Sequence, residues 1–154
     1  MKKTFLVILM ALLPISFVQA EPDALWQGTG YHFNKKGKLM DVFSINIQVS
    51  EINANQKIQL IEKVFADGTV KQRECLITEE KESRRQKRIH RECDNGAGEL
   101  VCLGRLCDGA YETDNGEYID VSATVDKDLV RTFSSSDEGI DGVFSSRSIV
   151  RKIQ

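Results

Sequence analysis

Apolar and polar residues alternate with a period of two through long stretches of the chain. The clearest stretch is 43–49, where every odd position is apolar. Such alternation is typical of a half-buried β-strand. Further β-compatible segments lie at 26–33, 58–65, 99–103, 118–125, 129–135 and 143–153. No segment after residue 20 shows an apolar stripe with the 3.6-residue period of a helix, so the pattern predicts an all-β fold.

Short glycine-containing turns separate these segments and suggest how the strands connect. Turn signals occur at 36–37, 67–68, 94–96, 108–109, 114–116, 138–139 and 141–142. Strands joined by short turns pair with their sequence neighbours, which gives an antiparallel meander. Eight to ten such strands would leave two exposed edges unless the sheet closed on itself. We therefore expect an up-and-down β-barrel of 8–10 strands, with a β-sandwich as the alternative.

The segment 79–92 differs from the others because Ile89 is its only apolar residue. It is either a long hairpin arm that projects beyond the barrel or a short exposed helix, stabilised by pairs such as Glu80 with Arg84. A strand would divide its basic residues between two faces. One face would carry Arg85, Lys87 and Arg91, and the other Arg84, Arg88 and His90.

The first twenty residues have the features of a bacterial secretory signal peptide. Lys2 and Lys3 precede an apolar run at 5–13, and Val18-Gln19-Ala20 resembles a cleavage site. The run is shorter than the roughly 20 residues of a membrane-spanning helix. We therefore expect a mature single domain at 21–154, located in the periplasm or secreted, and not membrane-spanning.

The four cysteines all lie in this exported part, at 75, 93, 102 and 107. An oxidising compartment and an even count favour two disulfides, for which three pairings are possible. The short spacing would let Cys102 pair with Cys107, leaving Cys75 for Cys93. A zinc site that includes His90 is the alternative, but the spacing matches structural zinc sites poorly. We expect disulfides and no bound metal.

Charge is distributed unevenly along a chain that has 21 basic and 23 acidic residues. Residues 69–93 carry eight basic side chains against five acidic ones, whereas residues 108–142 carry ten acidic against two basic. Separated fields of opposite sign can steer a charged partner. An anionic envelope component or an acidic protein could bind such a patch. Nucleic acid is not expected, because no aromatic stacking pattern accompanies the cations. The candidate patch comprises Arg84, Arg85, Lys87, Arg88 and Arg91.

Sequence features of an enzyme are absent. The serine runs lack the setting of a nucleophile elbow, and the chain has no glycine-rich phosphate loop or HExxH helix. His32 could point into the barrel and bind a haem or a metal, but a lone strand histidine is more often structural. We expect a non-enzymatic protein without a cofactor.

Two short segments at the ends of the mature chain resemble a known superfamily. The segment Leu25-Trp26-Gln27-Gly28-Thr29-Gly30-Tyr31 lies on the first strand, and Arg147-Ser148-Ile149-Val150-Arg151-Lys152 lies on the last. Together they resemble the calycin superfamily, which includes lipocalins, fatty-acid-binding proteins and avidins. The glycines here follow the tryptophan, whereas lipocalins have Gly-x-Trp.

The resemblance implies a lipocalin-like barrel in which Trp26 plugs one end and Arg147 or Arg151 packs over it. Such barrels hold a small apolar ligand in the lumen. The candidate lumen residues are Tyr31, Phe33, Phe43, Ile45 and Ile47. The alternative function is an envelope or secreted interaction or inhibitor protein that acts through the basic segment 69–93.

Overall fold

The computed structural model describes residues 21–154, which form ten β-strands. The predicted signal peptide at 1–20 lies outside the described residues. The strands, in chain order, are β1 (Ala24–Phe33), β2 (Leu39–Asn53), β3 (Gln56–Phe65), β4 (Val70–Lys81), β5 (Gln86–Cys93), β6 (Gly96–Leu103), β7 (Leu106–Thr113), β8 (Tyr118–Val125), β9 (Leu129–Ile140) and β10 (Val143–Lys152).

The ten strands form one closed antiparallel barrel, which confirms the predicted fold class. Each strand pairs with its sequence neighbours, and β10 closes the sheet by pairing with β1, where Trp26 lies opposite Lys152. The backbone N–H of Leu25 donates to the carbonyl of Gln154 at 3.1 Å, so the two ends of the sheet lie side by side. Closure pairs both edge strands, so the sheet formed by residues 24–152 has no free edge for another chain to extend.

Turn chemistry explains why consecutive strands reverse so tightly. Between β9 and β10, Asp141 and Gly142 both have positive φ, at 53° and 78°. Two such residues in sequence are what a type I′ hairpin turn requires, and its twist matches that of the flanking strands. Gly139 also has positive φ, and a side chain there would collide with the Phe144 ring.

The segment 79–92 belongs to the barrel wall. β4 and β5 pair throughout, from Cys75 opposite Cys93 to Lys81 opposite Lys87, and a turn at 82–85 joins them. The hairpin alternative is therefore correct, but the arm does not project, since β3 and β6 flank the pair.

Two disulfides connect neighbouring strands. Cys75 bonds to Cys93 between β4 and β5, and Cys102 bonds to Cys107 between β6 and β7. This confirms the pairing favoured by the sequence spacing. Each disulfide joins residues directly opposite one another in the sheet. The two bonds are consistent with an oxidising compartment outside the cytoplasm.

Candidate functional site

The inner face of the barrel is defined by its apolar core. Phe43, Ile45 and Val150 are 2–4% exposed and pack together. Residues directly opposite in adjacent strands share a face, and alternate residues along a strand share it too. These two rules assign the regularly paired positions of the ten strands to the inside or the outside. The half-buried residues packed on this core are Trp26, Ile47, Ile61, Phe65 and Val130.

Three predicted lumen residues lie on this inner face. Phe43, Ile45 and Ile47 belong to the core or pack against it, so the alternation in β2 correctly predicted their orientation. Phe43 and Ile45 are buried by protein atoms, so they fill the part of the barrel around them. A ligand role for these residues remains a prediction.

Tyr31 and Phe33, the other two predicted lumen residues, lie on the outer face. Trp26 and His32 are the inward positions of β1, so the odd-numbered positions point outwards. The Arg147 guanidinium lies 5.7 Å from the centroid of the Phe33 ring on that outer face. Placing Tyr31 and Phe33 in the lumen was therefore wrong, because the aromatic run 31–33 alternates sides.

The predicted plug of Trp26 and an arginine does not form. Trp26 lies on the inner face against the core, whereas Arg147 and Arg151 occupy outer positions of β10. The residue opposite Trp26 in β10 is Lys152. The arginines of β10 occupy odd-numbered positions, whereas its inner positions, such as Val150, are even-numbered.

The predicted anionic-partner patch is divided between several locations. Arg84 and Arg85 lie in the exposed β4–β5 turn. Arg88 lies on the outer face, where it contacts Glu82 and Glu99. Lys87 and Arg91 lie on inner positions, opposite Cys102 and Gly98 of β6. The structure adopts the predicted alternation from Lys87 to Arg91, whereas Arg84 and Arg85, which the prediction also placed on strand faces, lie in the turn.

Most of the charge on the inner face comes from β3, β4 and β5. One group of three side chains is an ion-pair network with a net charge of +1, because Glu79 binds both Lys57 and Lys87. The Lys87 ammonium lies 3.1 Å from the Glu79 carboxylate. Burial alone would raise the pKa of Glu79, but hydrogen bonds from the two lysines outweigh it and the pKa is lowered. Other inner cations are Lys63, Lys71, Arg73 and Arg91.

Lys63, Arg73 and Arg91 have no carboxylate partner. Among residues 21–154, no Asp or Glu oxygen lies within 4.0 Å of their side-chain nitrogens. Burial, together with repulsion from Arg73, Lys71 and Arg91, lowers the pKa of Lys63 to about 8. Burial, followed by repulsion from Arg73, also lowers the pKa of Arg91. We call these three residues the inner cation cluster.

Two aromatic rings and one side-chain amide partly compensate the positive charge of the inner cation cluster. The Lys63 ammonium lies 4.7 Å from the Phe43 ring centroid, and the Arg73 guanidinium lies 5.2 Å from that of Tyr111. A cation over an aromatic ring gains about 0.5–2 kcal/mol. Arg91 Nη2 donates to Gln59 Oε1 at 3.4 Å, whereas its Nε is buried and has no partner in the described part of the chain.

Tyr111 and Gly98 form the wall next to Arg91. Gly98 lies opposite both Arg91 and Tyr111 in the sheet, and a side chain at residue 98 would collide with Tyr111. The missing side chain leaves a cavity of about 10 Å³ lined in part by Arg91, Leu100, Tyr111 and Val121. That is about the volume available to one water molecule. Burial raises the pKa of Tyr111, whose hydroxyl donates to Asn95 at 2.7 Å.

His32 points inwards as predicted and packs against aromatic rings. Its ring centroid lies 4.5 Å from that of Phe43 and 5.7 Å from that of Phe65. Burial, then repulsion from Lys63, lowers the His32 pKa, and Asp41 at 3.7 Å partly opposes this. A neutral imidazole packed between rings has a structural role here. Within residues 21–154, no group of three His, Cys, Asp or Glu side chains could hold a metal ion.

The outer face carries one shallow groove across β7–β10, of about 350 Å³. Phe133 and Ile149 are its main apolar side chains, and Arg131 and Arg147 lie beside them.

No helix in residues 21–154 has the length and apolar character needed to cross a membrane.

Comparisons with known proteins give no family assignment. The chain matches no protein-family model, and no curated protein sequence matches it significantly. The ten-strand up-and-down barrel is compatible with a calycin-like fold.

Several residues of this interior were not predicted as site residues, namely Gln59, Lys63, Arg73 and Tyr111. The signal for β3 was present in the sequence. Counting by two from Ile61 places Lys63 between Ile61 and Phe65 on the apolar face. The inward position of Lys63 was not predicted, because a lysine within a strand is usually assigned to the solvent side.

Proposed function

We propose that the protein is a non-enzymatic, calycin-like binding barrel of the periplasm or the extracellular space, and that its lumen holds one small molecule with an apolar body. The supporting observation is the unequal filling of the inner face. Around β2 it is filled by Phe43 and Ile45, whereas on β8–β10 most inner residues other than the buried Val150 are small and only half-buried. They include Val121, Ala123, Thr132, Ser134, Ser146 and Ser148.

The width of a ten-strand barrel explains why small inner side chains leave space for a ligand. A barrel of about eight strands is just wide enough to be filled by side chains or to hold one small ligand, and the interior widens with strand number. This barrel has ten strands. Small side chains such as Ala123 and Ser148 do not fill the additional width, and both residues are only half-buried. An apolar body would contact Val121 and Ala123.

The alternative function, an interaction protein acting through residues 69–93, would need basic groups on the outer face. The outer positions of the β4–β5 hairpin carry Glu74, Glu80 and Glu92 beside Arg88. The cations Arg73 and Arg91 face the interior. The basic groups outside are thus limited mainly to the turn, and the lumen is the better-supported site.

A neutral fluorescent ligand tests the proposed function. N-phenyl-1-naphthylamine should bind the oxidised protein with one-to-one stoichiometry and gain fluorescence. Filling the lumen with Ala123→Phe should abolish binding, whereas Ser122→Phe, on the outer face of the same strand, should leave it unchanged. Ser134→Phe is a second filling variant if Ala123→Phe does not fold.

Native mass spectrometry of protein purified from its own host provides an independent measurement. We expect a retained small molecule that is lost after denaturation and refolding. The proposed function is rejected if the dye does not bind at one equivalent, or if folded filling variants bind it as well as the Ser122→Phe control does.

A further inference from the structure

The strongest unexplained feature of the interior is the inner cation cluster. Lys63, Arg73 and Arg91 come from three consecutive strands and share the inner face. Of the carboxylates at nearby inner positions, Glu79 already binds Lys57 and Lys87, and Asp41 lies 3.7 Å from His32. Placing charges out of water is costly unless an opposite charge or several hydrogen bonds compensate them. Three cations without a carboxylate partner in one interior therefore need an explanation.

We propose that Lys63, Arg73 and Arg91 form an anion subsite within the lumen, which binds an oxyanion group of the small molecule. This inference rests on the proposed function, because the subsite lies in the same interior. The chemical class is a carboxylate, phosphate or sulfonate attached to an apolar body. The ligand is thus an organic anion with an apolar body, which is a more specific class than the small apolar ligand expected from the sequence.

The unpartnered guanidinium nitrogen of Arg91 supports the assignment independently of the charge count. Arg91 Nε is buried and has no acceptor among residues 21–154, while Nη2 makes only long contacts, to Gln59 Oε1 at 3.4 Å and to the sulfur of Cys75 at 3.6 Å. A buried donor without an acceptor costs free energy, and native structures rarely leave one unpaired. The cavity beside Arg91 and Tyr111 has room for about one oxygen-sized group.

The surroundings of the subsite would suit an amphiphilic ligand. Leu100 and Val121 line the same cavity as Arg91 and provide apolar contacts next to the cations. The half-buried inner residues of β8 continue from Val121 to Ala123. An oxyanion at the inner cation cluster would therefore place its attached apolar body along β8, where the proposed function locates it. Gly98 keeps this side open by adding no side chain.

Two dyes that differ by one anionic group test the subsite. 8-Anilino-1-naphthalenesulfonate is N-phenyl-1-naphthylamine with an added sulfonate. We expect the sulfonate to tighten binding to the wild type about tenfold or more, because hydrogen bonds to charged groups contribute strongly. In Lys63→Met and Arg91→Met this advantage should largely disappear, while the affinity for the neutral dye changes by about twofold or less.

The matched control is Arg88→Gln, which removes one cation from the outer face of the strand that carries Arg91. It should retain the full sulfonate advantage. Ala123→Phe should abolish binding of both dyes, whereas Ser122→Phe, whose added ring lies in the outer groove, should leave it unchanged, and this contrast locates the sulfonate dye in the lumen. Octanoate and octyl phosphate should displace the sulfonate dye, and octanol should displace it less well. Whichever anion competes better identifies the preferred oxyanion.

The outcomes separate the two proposals. If neither dye binds at one equivalent, the proposed function fails and the subsite fails with it. If the neutral dye binds but the sulfonate gives no advantage, or if Arg88→Gln removes the advantage as Lys63→Met does, the subsite alone is rejected. Melting temperatures confirm folding of each variant. Lys63→Met decides the result if Arg91→Met does not fold.

Discussion

Lys63 carries its charge inside the barrel, next to the Phe43 ring and close to Arg73, Lys71 and Arg91. Its pKa is lowered from 10.5 to about 8, so folding disfavours its protonated form. This destabilising effect is complete below pH 8 and is relieved as the pH rises from 8 towards 10.5, because the unfolded chain then binds more protons. The wild type should gain stability over that range.

Replacing Lys63 by Met removes the titrating ammonium group from the interior. We expect Lys63→Met to be more stable than the wild type at pH 7, by about 1–3 kcal/mol, because the lost charge has no carboxylate partner. The difference should shrink as the pH rises to 10. Urea unfolding of both proteins at several pH values measures it. A difference that does not change with pH would show that Lys63 is not a buried, titrating charge.

Phe43 contributes to stability through packing. It is 2% exposed and contacts His32, Phe65 and Ile45 in the core. Phe43→Ala should therefore cost about 3–5 kcal/mol, the usual cost of truncating a buried aromatic residue. Val42→Ala, at an outer position that is 43% exposed, should cost less than about 1 kcal/mol. Equal losses in chemical denaturation would mean that the two faces of β2 have been assigned incorrectly.

At the scale of elements, the period-two alternation and the glycine turns predicted the all-β meander, and the structure confirms it. The same reasoning missed β7, because Asp108-Gly109 looked like a turn although it lies within that strand, opposite Val101 and Leu100. An Asp-Gly pair is recognised as part of a strand only when its pairing with a neighbouring strand is known. Likewise, the basic residues of β5 were identified from sequence, but their division between the two faces depends on register with β4 and β6.

The two disulfides should differ in their contribution to stability. Cys75 and Cys93 are separated by 18 residues, whereas Cys102 and Cys107 are separated by 5. In the chain-entropy account a bond that closes a longer loop restricts the unfolded chain more, about 3 kcal/mol for the longer loop against about 2 kcal/mol for the shorter. The double variant C75A/C93A should thus lose more stability than C102A/C107A. The reverse order in urea unfolding would contradict this account.

At the scale of the whole molecule, the sheet separates the charges of one segment into two environments. Residues 69–93 have a net positive charge, yet their outer strand positions carry Glu74, Glu80 and Glu92, while Arg73 and Arg91 face inwards. A charge run in a barrel strand therefore says little about the outer surface until the register is known. Here closure of the sheet places cations around an interior, where a bound anion would compensate them.

Closure itself can be tested by circular permutation. The backbone N–H of Ile153 donates to the carbonyl of Leu25 at 2.8 Å, so a short flexible linker can join Gln154 to Glu21. New ends at the exposed turn between Asn115 and Gly116 would break no strand pairing. Permutations at exposed turns are well tolerated when the original ends lie close together. We expect this permutant to fold, form both disulfides and lose less than about 2 kcal/mol of stability.

A second permutant, with the same linker and new ends between Ile45 and Asn46, is the matched control. It cuts β2 within the core, where Ile45 is 4% exposed, and should not fold cooperatively. Far-ultraviolet circular dichroism, urea unfolding and thiol counting compare the two permutants. A turn permutant that loses its β-sheet signal and exposes free thiols would show that β1 and β10 do not lie side by side, because only separated ends would be strained by so short a linker.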